Sequence, residues 1–309
     1  MVKIKKVYMV EELVRTRNVY HYTSLETFFA IMENYRRDKS ALTFRASNIF
    51  NFNDPKEMEV GYEALKEFLP KYEADKSIPE SQRLSAVYEN EDCEKKCKED
   101  YLKAKDKNVL EFGTVPYAIC FSLRRDYLPM WSLYGKMGHG LCLKFDAYKM
   151  MTEQMLSDIT PGIVAYNKKS AVKLLKDDVG LFYFLYTNAI NKNTDTSIEG
   201  KISGLATLCH CLSPFVKHKD YQYEKEFRLV YNKYYGIDFE NYSPREHLFS
   251  QPMYNVKPYI NIPISPLSLK EVLLGPCMDN VMKDVIKSEL NRCNLNVRVQ
   301  KSKISFRDN

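Results

Sequence analysis

The strongest constraint on the fold is a hydrophobic pattern that switches between two periods without settling into strict strand–helix–strand repetition. Runs rich in aromatic and β-branched residues at 19–22, 42–47, 117–123, 140–145, 227–231, 259–264 and 271–274, with a piece near 297–299, read as strands. Between them, apolar residues recur every three or four positions and predict helices. These stripes are Leu25, Phe28, Phe29 and Met32; Met58, Tyr62, Leu65 and Leu69; Val172, Leu175, Val179, Phe182 and Leu185; and Ile202, Leu205, Leu208 and Leu212. A short helix is expected at 130–134 and a longer one at 280–293. Thr23 with Glu26 three residues later fits a capping box opening the first helix, and Asn51 to Pro55 holds turn formers. The mixture predicts an α+β fold.

A chain of 309 residues has ample length for a core, and no repeat or Pro/Gly-rich linker divides it. We expect one domain over 1–309, interrupted at 70–108 by a densely charged, mostly helical insertion that reads as solvent-exposed. The longest strongly apolar stretch, 180–190, contains Thr187 and Asn188 and falls short of the roughly 20 residues a bilayer span needs. The N-terminal basic residues run into acids where a secretory signal requires an apolar centre, so the reading is cytoplasmic, with no membrane partner. Eight cysteines are too sparse for a disulfide scaffold; Cys120 and Cys142 sit in apolar runs and read as core thiols. Cys93/Cys97 and Cys209/Cys211 around His210 lack the common zinc spacing, and no metal is expected. The net charge of +6 is spread along the chain and permits nucleic-acid contact without requiring it.

Walker, HExxH, GxSxG and GxGxxG signatures are absent, which removes four large enzyme classes from consideration. What remains is a set of polar residues inside apolar runs, where charge is expensive unless paired or used. His21 lies between two tyrosines before the first helix; it is either a core histidine satisfied by backbone or a group for a ribose hydroxyl or diphosphate oxygen. Arg45, in LTFRAS, suits a diphosphate or pairs with Asp54 or Glu57. Glu224 and Glu226 open a predicted strand, where alternation puts both carboxylates on one face; the competing reading is a surface ion pair with Lys225 or Arg228. Trp131 and Tyr134, three apart, share a helical face that could pack in a core or wall an aromatic ligand.

VYHYTS at 19–24, NDP at 53–55, CFS at 120–122, PMWSLYG at 129–135, GLCLKFD at 140–146 and YEKEFRLV at 223–230 resemble a large uncharacterised bacterial family. That family is similar to the ADP-ribosyltransferase superfamily, especially its DarT-like branch with a YHxT opening strand. The resemblance implies a split mixed sheet with helical insertions and transfer of ADP-ribose from NAD, as substrate, to a macromolecular acceptor, protein or nucleic acid, in a toxin or phage-defence role. It also implies Glu226 as the catalytic residue and Glu224 as the residue orienting the acceptor. His21, Tyr22, Thr23, Arg45, Ser122, Trp131 and Tyr134 would then hold NAD. Two other readings stand beside it: a noncatalytic module that binds a nucleotide or nucleic-acid end, and a metal-independent nuclease using His21, His218 and Glu226.

Overall fold

The computed structural model describes residues 18–106, 116–150, 159–167, 170–172, 179, 197–231, 247–250 and 257–306. Ten strands form one unclosed sheet: β1 (Asn18–Thr23), β2 (Leu42–Asn48), β3 (Tyr117–Ser122), β4 (Leu141–Asp146), β5 (Ile159–Ile163), β6 (Glu226–Tyr231), β7 (His247–Ser250), β8 (Lys257–Ile264), β9 (Leu269–Leu274) and β10 (Arg298–Lys301). The longer helices are α1 (Leu25–Arg37), α2 (Glu57–Asp75), α3 (Glu91–Asp106), α4 (Leu128–Leu133), α5 (Ile198–Leu212) and α6 (Val281–Arg292). Strand and helix mix without βαβ repetition, as an α+β chain requires. No described helix is long and apolar enough to cross a membrane.

The sheet forks at β3. One edge of β3 pairs with β6 along its whole length, from Tyr117↔Tyr231 to Ser122↔Glu226. Its other edge is shared: β2 takes the beginning, at Ala118↔Ser47 and Tyr117↔Asn48, and β1 takes the end, at Ser122↔Tyr20. From the fork one wing runs β1–β4–β9–β10, a second runs β2–β8–β7, and β5 completes the β6 side. Among the described strands, every pairing is antiparallel except β9 with β10.

Strand alternation supplies a core on each face. On one face Val19, Phe44, Phe121, Leu143 and Phe227 pack with Phe28, Ile31 and Met32 of α1 and Ile286 and Leu290 of α6. On the other, Ala118 and Val230 meet Tyr62, Leu65 and Leu69 of α2 and Ile202, Leu205, Leu208 and Leu212 of α5. Tyr22, Cys142 and Leu273 on this second face are covered by Met130 and Trp131 of α4.

Two expectations change. The first helix is capped by Ser24, whose Oγ accepts from Thr27 N at 3.2 Å; Thr23 ends β1, so the cap lies one residue beyond the Thr23/Glu26 box. The charged segment is not an exposed arm: α2 continues through Pro70 to Asp75, and Leu84, Val87, Cys97 and Tyr101 are fully buried in the second core. The Glu73 carboxylate, also buried, accepts from Leu84 N at 2.9 Å and Ser85 N at 3.1 Å. The net polarity of the segment concealed a helical face with few but large buried side chains. Of the helix expected from Val172, Leu175, Val179, Phe182 and Leu185, only Val172 and Val179 are among the described residues.

A C-terminal strap crosses α4. Asp126 Oδ1 accepts from Trp131 Nε1 at 2.9 Å and Ser302 Oγ at 2.5 Å, and Asp126 Oδ2 accepts from Lys303 N at 3.4 Å. Farther on, Cys277 Sγ donates to Phe306 O. Gly138 adopts φ +85°, and a Cβ there would stand 3.0 Å from the Phe306 ring, so the loop after α4 needs glycine on both counts.

Burial of the charged segment can be checked at Leu84. Leu84→Ala should lower stability by roughly 2–5 kcal/mol in urea unfolding, whereas truncation on a solvated arm would change it by about 0.5 kcal/mol or less.

Candidate functional site

The site is assembled around a buried arginine. Arg228 on β6 is 0% exposed, and its Nε donates to Glu226 Oε2 at 2.7 Å while Nη1 donates to Pro214 O at 2.6 Å. Nη2 pairs with Glu57 from the first turn of α2 and with Glu226. Lys217, in the turn after α5, is also buried; its Nζ donates to Glu224 Oε2 at 2.6 Å and lies 3.5 Å from Glu226 Oε1 and 3.8 Å from Glu57 Oε2. Three carboxylates and two cations thus share one low-dielectric space, where each needs the others.

Glu224 precedes β6, which begins only at Glu226, so strand alternation alone does not align the two. Lys225 between them takes φ +46°, and Ser122 Oγ fixes this turn by donating to Glu224 O at 2.6 Å. Leu123 N donates to Lys225 O at 2.7 Å. The other Glu224 oxygen leads outward: Tyr134 Oη donates to Oε1 at 2.5 Å and accepts from the exposed Asn53 Nδ2 at 3.0 Å. Asn53, Tyr134 and Glu224 therefore form a hydrogen-bonded line from surface to interior.

Burial and charge divide the carboxyls. Burial alone would raise Glu226, but Arg228 and Lys217 outweigh it and hold that carboxyl below its usual range. Burial, reinforced by Glu226, raises Glu224 against the opposing pull of Lys217 and Tyr134. Burial also raises Glu57 despite Arg228 and Lys217. The Lys217 ammonium, which burial would lower, is raised by Glu226, Glu57 and Glu224. Both Glu224 oxygens accept hydrogen bonds, from Lys217 and Tyr134, so the raised Glu224 is the better proton acceptor of the pair while Glu226 keeps its charge.

His21 occupies the fork. Alternation starts its side chain on the face of Leu143 and Phe121, opposite Ser122 and Glu226. Its Nδ1 lies 3.0 Å from Cys120 O, between the divergent β1 and β2, and its ring meets Phe44 edgewise at 5.3 Å and Phe121 at a tilt at 5.5 Å. Burial lowers its pKa, partly offset by the Cys120 carbonyl. A carbonyl only accepts, so Nδ1 carries the proton and Nε2 of the neutral ring is an acceptor. As a neutral ring, His21 offers a hydrogen-bond acceptor at Nε2 and no donor there. The Cys120 side chain stands opposite Arg228, on the face of Glu226. Both His21 and Cys120 keep partial solvent exposure although strands flank β3 on both edges.

Other candidates fall elsewhere. Arg45 is exposed, on the face of Ser47, with its guanidinium 4.6 Å from the Tyr259 ring centroid, and Arg228 rather than Arg45 pairs with Glu57. Trp131 is fully buried, edge-on to Tyr22 at 4.9 Å, and presents no face to a ligand. Tyr22 Oη donates to Arg124 O at 2.9 Å, and Thr23 is buried. His218 is exposed beside Asp220, 3.2 Å away. Sequence reasoning missed Lys217 and Asn53, and named Glu57 only as a partner for Arg45. Lys217 opens the polar run KHKD after SPFV and carried no distinguishing signal, whereas Asn53 lay in the NDP motif.

Residues 130–229 match the model of a family described as Protein of unknown function (DUF2971). The matched stretch runs from α4 into β6 and contains Tyr134, Lys217, Glu224, Glu226 and Arg228; Glu57, Asn53 and His21 lie outside it. No curated protein and no solved structure matches the chain.

Lys217→Met should destabilise the protein by about 3–5 kcal/mol at neutral pH by leaving buried carboxylates uncompensated. Because the folded pKa of Lys217 lies above its unfolded value of 10.5, its contribution is complete below that pH and is lost as pH rises through the folded value. The gap between wild-type and variant urea midpoints should therefore narrow above pH 10.5 and be constant from neutrality up to it. For His21, nitrogen-15 NMR at pH 7 should show a neutral ring protonated at Nδ1, with a midpoint below 6.5.

Proposed function

We propose that the chain is an NAD-dependent ADP-ribosyltransferase acting on a macromolecular target, in the manner of a toxin or phage-defence effector. NAD is the substrate and enters at the β1/β2 fork. The observation that carries this reading is the divergence of β1 and β2 along β3: His21 and Cys120 beside it remain partly exposed, and Glu226 stands on β6 at the other edge of β3, opposite Ser122. A split sheet with histidine at the split, Glu226 on the adjoining strand and Glu224 in the turn before it agrees with the resemblance in HYTS and YEKEFR.

In this reading the bond between nicotinamide nitrogen and ribose breaks with its electrons going to the departing nicotinamide, and positive charge develops on the ribose. Glu226, anchored by Arg228 and Lys217, supplies negative charge without moving. The acceptor nucleophile then bonds to the ribose carbon and loses its proton towards Glu224 through Tyr134. His21 Nε2 accepts from a ribose hydroxyl. Arg45, exposed at the β2 side of the fork, suits the diphosphate.

A second reading, a noncatalytic nucleotide-binding module, draws on a specific observation: both glutamates are already engaged by cations. The two readings separate on nicotinamide release. The wild-type protein should release nicotinamide from NAD and label a lysate component with ADP-ribose; saturable NAD binding without release would establish the second reading instead. Tyr134→Phe leaves the buried ion pairs in place and should slow labelling of the acceptor by about tenfold or more while nicotinamide release by water falls less. Glu226→Gln should lower release by about 10²–10³. Since Arg228 depends on the same carboxylate, that rate is compared at a temperature where circular dichroism shows the variant folded.

A further inference from the structure

The NDP loop delivers Glu57 to Arg228 and, just before it, Asn53 to Tyr134. Its flanks are fixed: the Phe52 ring centroid lies 5.5 Å from the Arg228 guanidinium carbon, and Asp54 Oδ1 shapes the turn by accepting from Lys56 N at 2.9 Å. Asn53 between them is exposed, yet its side chain leaves the turn to Asp54 and reaches Tyr134, 81 residues along the chain. A loop held at both ends thus aims one surface carboxamide at the outer end of the buried cluster.

The direction of the bonds decides what Asn53 does there. A tyrosine hydroxyl has one proton to give and lone pairs that accept. Tyr134 Oη gives that proton to Glu224 Oε1 at 2.5 Å and accepts from Asn53 Nδ2 at 3.0 Å. A carboxylate in place of the amide would compete with Glu224 for the same proton. We propose that Asn53 is a positioning residue whose N–H keeps the Tyr134 proton directed inward at Glu224, leaving the second lone pair of Oη to the acceptor nucleophile. The inference rests on the transfer reaction proposed above and adds the direction of its proton path. As the nucleophile bonds to the ribose carbon, its proton passes to Tyr134 Oη and the tyrosine proton passes to Glu224 Oε1, so the ring ends neutral. Asn53 also steadies the oxygen between the two transfers: burial and Glu224 raise the Tyr134 pKa, and Asn53 acts against them.

Three substitutions separate this role from a part in the turn alone. Asn53→Asp keeps the size and the turn preference but loses the donor, Asn53→Ala loses both, and Asn53→Gln keeps the donor on a longer stem. A residue serving only the turn would tolerate Asp best. With the full chain, labelled NAD and a lysate, Asn53→Asp should slow acceptor labelling by about tenfold or more, Asn53→Ala by about threefold and Asn53→Gln by less than either. Nicotinamide release by water should fall less than labelling in each, with an unchanged circular dichroism spectrum. A second measurement needs no NAD: proton NMR at pH 7 should show a slowly exchanging Tyr134 hydroxyl, assigned by its loss in Tyr134→Phe, that persists in Asn53→Gln and shifts or vanishes in Asn53→Asp. Labelling by Asn53→Asp at the wild-type rate, a hydroxyl resonance that Asn53→Asp leaves in place, or release falling as far as labelling would each overturn the proposal. Failure of the reaction itself is distinct, since the wild type would then release no nicotinamide; that result removes Asn53 from any catalysis, while the hydroxyl resonance still reports which way the bond points.

Discussion

A guanidinium with no access to water dictates the placement of everything around it. Arg228 sits at mid-strand with both faces of its fork engaged, and the partners arrive from three places: Glu226 from its own strand, Glu57 from α2, and the Pro214 carbonyl from the turn after α5. Removing an ion from water costs several kcal/mol even after relaxation, so the arrangement persists only if all partners are present together. The second core and the sheet are therefore joined by directional polar contacts as well as apolar packing. Lys217 extends the same requirement to Glu224, and through it to Tyr134 and the surface.

The fork in the sheet creates the other polar problem. Where β1 and β2 part, the middle of β3 has carbonyls with no strand opposite on that edge, and His21 answers one of them with a side-chain N–H. A backbone vacancy fixes the tautomer of the ring, and the tautomer decides what the free nitrogen can do. Cys120 is common to both devices, with its carbonyl at the imidazole and its side chain opposite Arg228.

Much of the scaffold was legible because local pattern and tertiary role agreed. The stripe Ile202, Leu205, Leu208 and Leu212 marks a helix and is buried in full, and the alternating runs mark most strands within a residue or two. The charged stretch misled because composition averages over faces: α3 buries Cys97 and Tyr101 among many solvated charges. The Glu224/Glu226 pair was recognised for a partly incorrect reason, since the left-handed turn at Lys225 and not simple alternation sets their approach. The fork itself has no local signature; it depends on which strands compete for one edge of β3. Lys217 and the role of Glu57 were hidden because nothing in sequence spacing brings a helix N-terminus to the turn before a strand roughly 160 residues later, and Lys217, at the head of the polar run KHKD, looks like a solvated charge.

The strap across α4 has a consequence for the order of assembly. Asp126 and Ser302 meet across 176 residues of chain, and the same aspartate holds Trp131 just before the Tyr134 position. During synthesis the strands around Arg228 can emerge and pair while this aspartate still lacks its last donors. The outer, tyrosine-bearing wall of the site thus acquires its final hydrogen bonds only after the last strand of the sheet leaves the ribosome, so a nascent chain would hold its carboxylates in place before it could enclose them.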